Sequence, residues 1–222
     1  MLFRDRQDAG RHLARELMSL RGPELVVVGL PRGGVIVAAE VARALGAPLD
    51  VLVSRKIGLP GHPEFGIGAV ASGVVHVDRD TADRFGVPEE YIRRAVAEQE
   101  REVARREAAY RGTRPRLELV GKTVVIVDDG LATGVTARAS IEAAKAQRPQ
   151  AVYFAAPVCE AENAEALRGL TAGVVFLDCP TPFIAVGASY EDFRPTLDRE
   201  VLAALASEPE VGTLQPTGGD SQ

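Results

Sequence analysis

Asp128 and Asp129 stand side by side where the apolar run VVIV (124–127) meets the small-residue segment GLATGVT (130–136). Adjacent carboxylates at the mouth of a buried strand repel each other and lose hydration, so hydroxyl donors or a cation must compensate them. The segment after them reads as the opening of a helix, whose first amides lack internal partners. Together with the helix dipole these amides make an anion site, and Thr133 and Thr136 add hydroxyl donors. A phosphate held there, with carboxylates beside it, describes a sugar phosphate. Amides and hydroxyls take the phosphate, and the acids take vicinal sugar hydroxyls.

Two commoner phosphate motifs are excluded. A Walker A loop needs Gly, four residues, then Gly-Lys-Ser/Thr; counting from Gly130 reaches Val135, and from Gly29 reaches Gly34-Val35. No GxGxxG fingerprint opens a helix.

The elements that must position these residues alternate along the chain. LVVVG (25–29), DVLVS (50–54), TVVIV (123–127), AVYFAA (151–156) and VVFLD (174–178) read as buried strands, with helices at about 34–46, 135–147 and 161–169. Continuous apolar runs separated by helical patterns predict an open parallel sheet covered on both faces. In such a sheet, ligands bind at the carboxyl ends of the strands, where Asp128 and Asp129 fall. DAGRHLARELMSL (8–20) reads as a short amphipathic helix. Between the second and third core strands lies an excursion, about 57–120. It carries the glycine-rich KIGLPGHPEFGIGAVASG, a strand at 74–78, and a charged helix from Pro88 to Arg111. Glu89/Arg93, Glu90/Arg94 and Glu102/Arg106 are favourably spaced pairs on that helix, which reads as a solvated face.

The 222 residues are 46% hydrophobic and 26% charged, enough for a real core. A net charge of −5 argues against a general nucleic-acid binder. No apolar run approaches 18 residues and MLFRDRQDAG lacks a signal-peptide core, so no membrane partner is expected and the location reads as cytoplasmic. Cys159 and Cys179 have no CxxC and no His cluster nearby. They read as two small buried residues in a reducing compartment rather than a disulfide or metal site.

VVIVDDGLATGVT resembles the phosphoribosyl-pyrophosphate (PRPP) binding motif of the type I phosphoribosyltransferases, with Gly130 standing where that family usually has a branched apolar residue. The resemblance implies that Asp128 and Asp129 hold the ribose hydroxyls and that Ala132, Thr133, Gly134, Val135 and Thr136 cradle the 5′-phosphate. Arg32-Gly33-Gly34, after the first strand, resembles the family's pyrophosphate loop. Arg55-Lys56 resembles the basic pair that opens the mobile loop of orotate-type members. The block 55–70 is similar to one in a group of bacterial phosphoribosyltransferases whose acceptor is unassigned.

The same resemblance implies a single domain, 1–206, with an α/β core (about 23–56 and 121–180) and a hood built from 1–22 and 180–206. A disordered tail, 207–222, completes the chain. The implied activity is transfer of 5-phosphoribosyl from PRPP to a nitrogenous acceptor by a homodimer, with Asp128, Asp129, Arg32 and Lys56 as catalytic groups. Mg²⁺ is implied as cofactor, reached by Asp128 and Asp129 through PRPP or water. A PRPP-binding regulator, or an enzyme of another ribose phosphate, is the alternative. Residues 57–73 read as a lid carrying His62 and Glu64, which are expected to be exposed loop residues, the alternative being a role at the nucleobase. His12 and His76 read as structural. Phe183, Tyr190 and Phe193 are the aromatics that could stack on a base, or form the hood core. Ala132 stands where 6-oxopurine transferases carry an Asp proposed as general base.

Overall fold

The structure, a computed structural model, describes residues 1–206; the tail expected to be disordered lies outside them. Helix α1 (Arg6–Glu16) begins at Asp5, whose side chain accepts a hydrogen bond from the Asp8 amide, and it buries Ala9, Gly10, Leu13 and Ala14. Strand β1 (Leu25–Gly29), helix α2 (Gly33–Leu45) and strand β2 (Leu49–Val51) follow. Gly46 ends α2 with φ +63°, a left-handed conformation that glycine adopts at no steric cost. The excursion contains β3 (Ser54–Leu59), β4 (His62–Ala71), β5 (Val74–Val77), α3 (Arg79–Arg84) and α4 (Glu89–Arg111). The chain then runs through β6 (Thr123–Val127), α5 (Val135–Lys145), β7 (Ala151–Val158), α6 (Ala161–Arg168), β8 (Gly173–Asp178) and α7 (Asp198–Ala206).

The main sheet has the order β2-β1-β6-β7-β8, with every neighbouring pair parallel. Leu25, Val27, Val125 and Val127 face α1, α2 and α7, while Val26, Val28, Val124 and Ile126 face α5 and α6. Burial on both faces is why these strands are apolar throughout. The chain leaves β1 toward β2 and leaves β6 in the opposite direction, toward β7. A crevice therefore opens at the carboxyl ends of β1 and β6.

The structure corrects four expectations. DVLVS is not one strand. The chain leaves the main sheet after Val51 and enters a second, antiparallel sheet, β3-β4-β5, at Ser54. The break is pinned by Asp50, a buried acid at the expected strand's start. Its carboxylate accepts from Arg111 Nε (3.1 Å) and from the amides of Val51 (2.7 Å) and Leu117 (3.0 Å). Removing one partner of such a buried pair typically costs about 3–5 kcal/mol. The same bond shows that α4 is more than a solvated face: it buries Ile92, Val103 and Tyr110 and ties its last turn to β2. Of its expected pairs, Glu102 holds Arg106 (2.6 Å), whereas Glu89 is taken by Arg79 of α3.

The glycine-rich stretch, read as loop, is the hairpin β3–β4, with register shifts at Ile57–Gly58 and Gly58–Leu59. Glycines at 58, 66 and 68 dilute the alternation by which a strand is recognised.

The cysteines are the fourth correction. Cys159 and Cys179 form a disulfide, and Cys179 is exposed. Val158 pairs with Asp178 in the β7–β8 ladder, so the next residue of each strand falls side by side, 4.8 Å apart at Cα. A crossover helix hides this adjacency from the sequence. Closing a loop of this length stabilises by about 3 kcal/mol. Cys159→Ser should therefore lower the melting temperature by roughly 6–12 °C, as should reduction of the wild type. An unchanged melt, with two thiols labelled in the absence of reductant, would contradict the bond.

Candidate active site

The crevice is built around the two acids. Asp128 follows β6 directly and its amide donates to Ala155 O of β7 (3.1 Å). Its Oδ1 accepts the Asp129 amide (2.9 Å), which turns the second carboxylate back toward β1. The loop after β1 meets them there. A Cβ on Gly33 would lie 1.9 Å from Asp129 Oδ2, and one on Gly34 would lie 2.8 Å from Asp128 Oδ1 and from Val127 O. Bare backbone at 33 and 34 is thus a requirement of the acid pair itself, besides what any anion would ask of it.

Compensation for the paired charge comes from a residue the sequence did not single out. Arg6, in the first turn of α1, donates from Nε to Asp129 Oδ2 (2.7 Å), with only 11% of the Arg6 and 17% of the Asp129 side chain exposed. Its Nη1 donates to Arg194 O (2.9 Å), and its guanidinium lies 4.0 Å from the Phe193 ring centroid. Tyr190 donates its hydroxyl to Asp129 O (2.6 Å). Burial, and after it the neighbouring Asp129 charge, push the Asp128 carboxyl well above its usual range. Burial raises Asp129 too, with Arg6 opposing the shift by its charge and its hydrogen bond. Sequence spacing carries no sign of this pairing, which joins positions 123 residues apart in the chain.

The loop beyond the acids is braced from α6. Leu131 and Glu160 exchange backbone hydrogen bonds with the end of β7 and the loop, and Asn163, the only Asn in the chain, donates to Ala132 O (2.6 Å). Gly134 caps α5 in a left-handed conformation with no side-chain cap. Among the described residues, no acceptor meets the amides of Ala132, Thr133, Gly134, Val135 or Thr136. Ala132 and Thr133 are exposed and Thr136 is half-buried. These donors are left unmet a few residues beyond the two carboxylates, and Thr133, Gly134 and Val135 line a cavity with Gly66, Gly68 and His76.

The basic residues are less uniformly placed. Arg32 stands at the start of α2, 43% exposed, with Nη1 3.9 Å from Asp198 of α7. So loose a surface pair leaves the guanidinium available to an anion. Lys56 lays its stem against Gly66 of β4, which in turn abuts Val135 at the start of α5. Its neighbour Arg55 points the other way, donating to Gln99 of α4 (3.2 Å). Successive residues of a strand face opposite sides, so the two cannot both face the crevice.

Two of the three hood aromatics, Tyr190 and Phe193, pack on each other. Tyr190 is buried between Phe3 (centroids 5.6 Å) and Phe193 (5.0 Å), and Phe193 carries Arg6 besides. Neither Tyr190 nor Phe193 has a ring face to offer a base. Phe183 is half-buried against the same cluster. His62 is exposed at the hairpin turn, His76 pairs with Glu142 (Nδ1–Oε2 3.1 Å), and His12 lies beside Phe3.

The hood also accounts for Gly130. A Cβ there would meet the Val186 side chain at 2.3 Å, so the volume of the family's branched residue is supplied from the hood. Gly130→Val should destabilise the protein by about 1–3 kcal/mol, and Val186→Ala introduced with it should recover much of that loss. Strictly additive losses in the double variant would contradict the contact.

The chain is similar to known proteins in sequence and fold. The family model described as "Phosphoribosyl transferase domain" matches residues 4–192. Two curated proteins from Mycobacterium tuberculosis (strains CDC 1551 and H37Rv), each bearing the name "Putative phosphoribosyl transferase", are 44% identical over 205 residues. That alignment covers 92% of this chain and 46% of theirs, so the chain spans about half the length of the curated relatives it matches. A crystal structure of a protein from Thermus thermophilus superposes with a TM-score of 0.81 at 42% identity, covering 94% of this chain and 99% of that one. With its acid pair, its glycine loop and its phosphate-type loop in one crevice, the chain belongs to the phosphoribosyl transferase domain family.

Proposed function

We propose that the protein is a PRPP-dependent phosphoribosyltransferase, a pentosyltransferase that joins 5-phosphoribosyl to a nitrogenous acceptor and releases pyrophosphate. The observation that supports this reading is the packing of Gly33–Gly34 against Asp128–Asp129: an acid pair within touch of a bare glycine loop is what a ribose diol beside a pyrophosphate leaving group would require. The unmet amides of 132–136, with the hydroxyls of Thr133 and Thr136, take the 5′-phosphate. Arg32 and Lys56 face the pyrophosphate in this proposal. Arg55, held at Gln99, leaves that role.

In the reaction the bond between C1′ and the pyrophosphate oxygen breaks with its electron pair leaving on pyrophosphate. The acceptor nitrogen bonds C1′ and loses its proton. Positive charge develops on the ribose meanwhile, beside the carboxylates, so the chain's part is to orient the sugar and to balance the departing charge. No carboxylate stands at position 132 to take the proton, since Ala132 has none. The proton therefore goes to another group or to solvent, and a hypoxanthine/guanine-type base mechanism does not apply. Of the three hood aromatics only Phe183 remains for stacking on an acceptor.

Mg²⁺ fits the donor set. Among the described residues no cluster of three or more His, Cys, Asp or Glu forms a protein cage, and two carboxylates suit an ion that keeps its waters and substrate phosphates. Bound there, it would neutralise pyrophosphate charge. No described helix is long and apolar enough to cross a membrane. A cytoplasmic homodimer acting on PRPP and a small-molecule acceptor completes the proposal, on the strength of the family resemblance.

The test is pyrophosphate release from PRPP and Mg²⁺ in the presence of a panel of bases and related amines. Wild type should release it with at least one acceptor, and Asp129→Asn, still folded, should lose about a hundredfold or more of the rate. PRPP binding with no turnover across the panel would make the protein a regulator instead; no binding at all would overturn the reading.

A further inference from the structure

Arg6 does more at the acid pair than balance its charge. Its fork is held on three sides: by Asp129 Oδ2 at 2.7 Å, by Arg194 O at 2.9 Å, and by the Phe193 ring at 4.0 Å. With 11% of the side chain exposed, this is a fixed group and not a surface arginine passing by. The hydrogen bonds it enforces divide the carboxylate oxygens. Asp129 Oδ2 is committed to Arg6, and Asp128 Oδ1 is committed to the Asp129 amide. Apart from the contact between the two carboxyl groups themselves, one oxygen on each acid, Asp128 Oδ2 and Asp129 Oδ1, has no protein donor and can accept from a ligand. Two acceptors on neighbouring side chains match two neighbouring hydroxyls.

Charge leads to the same place. PRPP brings several negative charges to the crevice, and two ionised carboxylates alone would repel it. Arg6 in contact offsets one of those charges, so the acids can serve as acceptors for hydroxyls while the phosphates are held on either side. Asp129 Oδ2 and Arg6 Nε occupy the space that a Cβ on Gly33 would take, 1.9 Å and 2.5 Å from its position, so the pair forms only where residue 33 is bare backbone.

We propose that Arg6 is a positioning residue for the ribose. From the hood it fixes Asp129 so that the two remaining carboxylate oxygens receive the 2′- and 3′-hydroxyls, and docking of α1 on the core is therefore a condition of sugar recognition. This inference rests on the reading of the crevice as a PRPP site. It assigns to α1 a task at the sugar, in addition to any part in an acceptor pocket. The opposing possibility is that Arg6 merely fills the diol position until PRPP expels it, and the two make opposite forecasts.

The experiment compares ribose 5-phosphate, 2-deoxyribose 5-phosphate and PRPP·Mg²⁺ by titration calorimetry on wild type, Arg6→Gln, Arg6→Lys and Phe193→Leu. Thermal melts accompany each variant. Wild type should prefer the ribose compound over its deoxy analogue by about tenfold, the scale of one hydroxyl's hydrogen bond to a charged group. Arg6→Gln should bind PRPP about tenfold to a hundredfold more weakly, as when the partner of a ligating group is lost, and its ribose preference should collapse toward unity. Arg6→Lys should recover part of both. Phe193→Leu, which keeps the charge but removes the ring under it, should fall between wild type and Arg6→Gln; it and Arg6→Lys carry the test if Arg6→Gln does not fold.

A structural role alone would lower stability in these variants without changing the ribose-to-deoxyribose ratio, and that result overturns the proposal. Tighter PRPP binding by folded Arg6→Gln overturns it in favour of a placeholder. Wild type that binds none of the three compounds removes the PRPP reading as well as this inference. Wild type that binds them, with the ratio unmoved in the variants, removes this inference only.

Discussion

Two carboxylates forced together at the end of a buried strand repel each other, and both lose solvent. The geometry of the crevice follows from the ways that this repulsion is offset. Asp128 turns one oxygen to the amide of Asp129; Asp129 turns one to Arg6; and the loop at 33–34 lies so close that only glycine fits. Each contact recruits a different part of the chain. The amide belongs to the β6 loop, the glycines to the start of α2, and the guanidinium to the N-terminal helix. An acid pair that served no purpose would be a costly feature to keep, because either carboxylate could be replaced by an apolar side chain with no charge to compensate.

The hood is attached to the core through the same point. Arg6 arrives from α1, Phe193 and Arg194 from the segment after β8, and Tyr190 bonds the backbone of Asp129 itself. Val186 fills the space above Gly130, one residue further along. The disulfide between Cys159 and Cys179 joins the start of that hood segment to the strand end beside the phosphate-type loop. In this molecule the hood and the anion loop are therefore not independent modules. A displacement of one would be felt at the other through Asp129 and Leu131.

The core elements were legible because their signals are local. LVVVG and TVVIV are continuous apolar runs covered on both faces, and Gly46 marks the end of α2 in the chain itself. The acid pair and the loop at 130–136 could be read for the same reason: a strand end, two acids and a helix start lie in one stretch. What could not be read depends on long-range pairing. Arg6 is one arginine among many, and only the folded sheet brings it to Asp129. Cys159 and Cys179 become neighbours by a crossover whose register is a property of β7 and β8 together. The hairpin at 54–71 was hidden by its own glycines, which look like a loop in one dimension. Arg55 and Lys56 read as a matched pair until strand alternation separated them.

A crystal structure with PRPP and Mg²⁺ bound would show most directly how the acid pair is used. The 5′-phosphate should lie on the amides of 132–136 and the ribose diol on Asp128 Oδ2 and Asp129 Oδ1, with Arg6 still bonded to Asp129 Oδ2. A ribose bound away from the acid pair would contradict this picture, as would an Arg6 driven out of the crevice by the sugar.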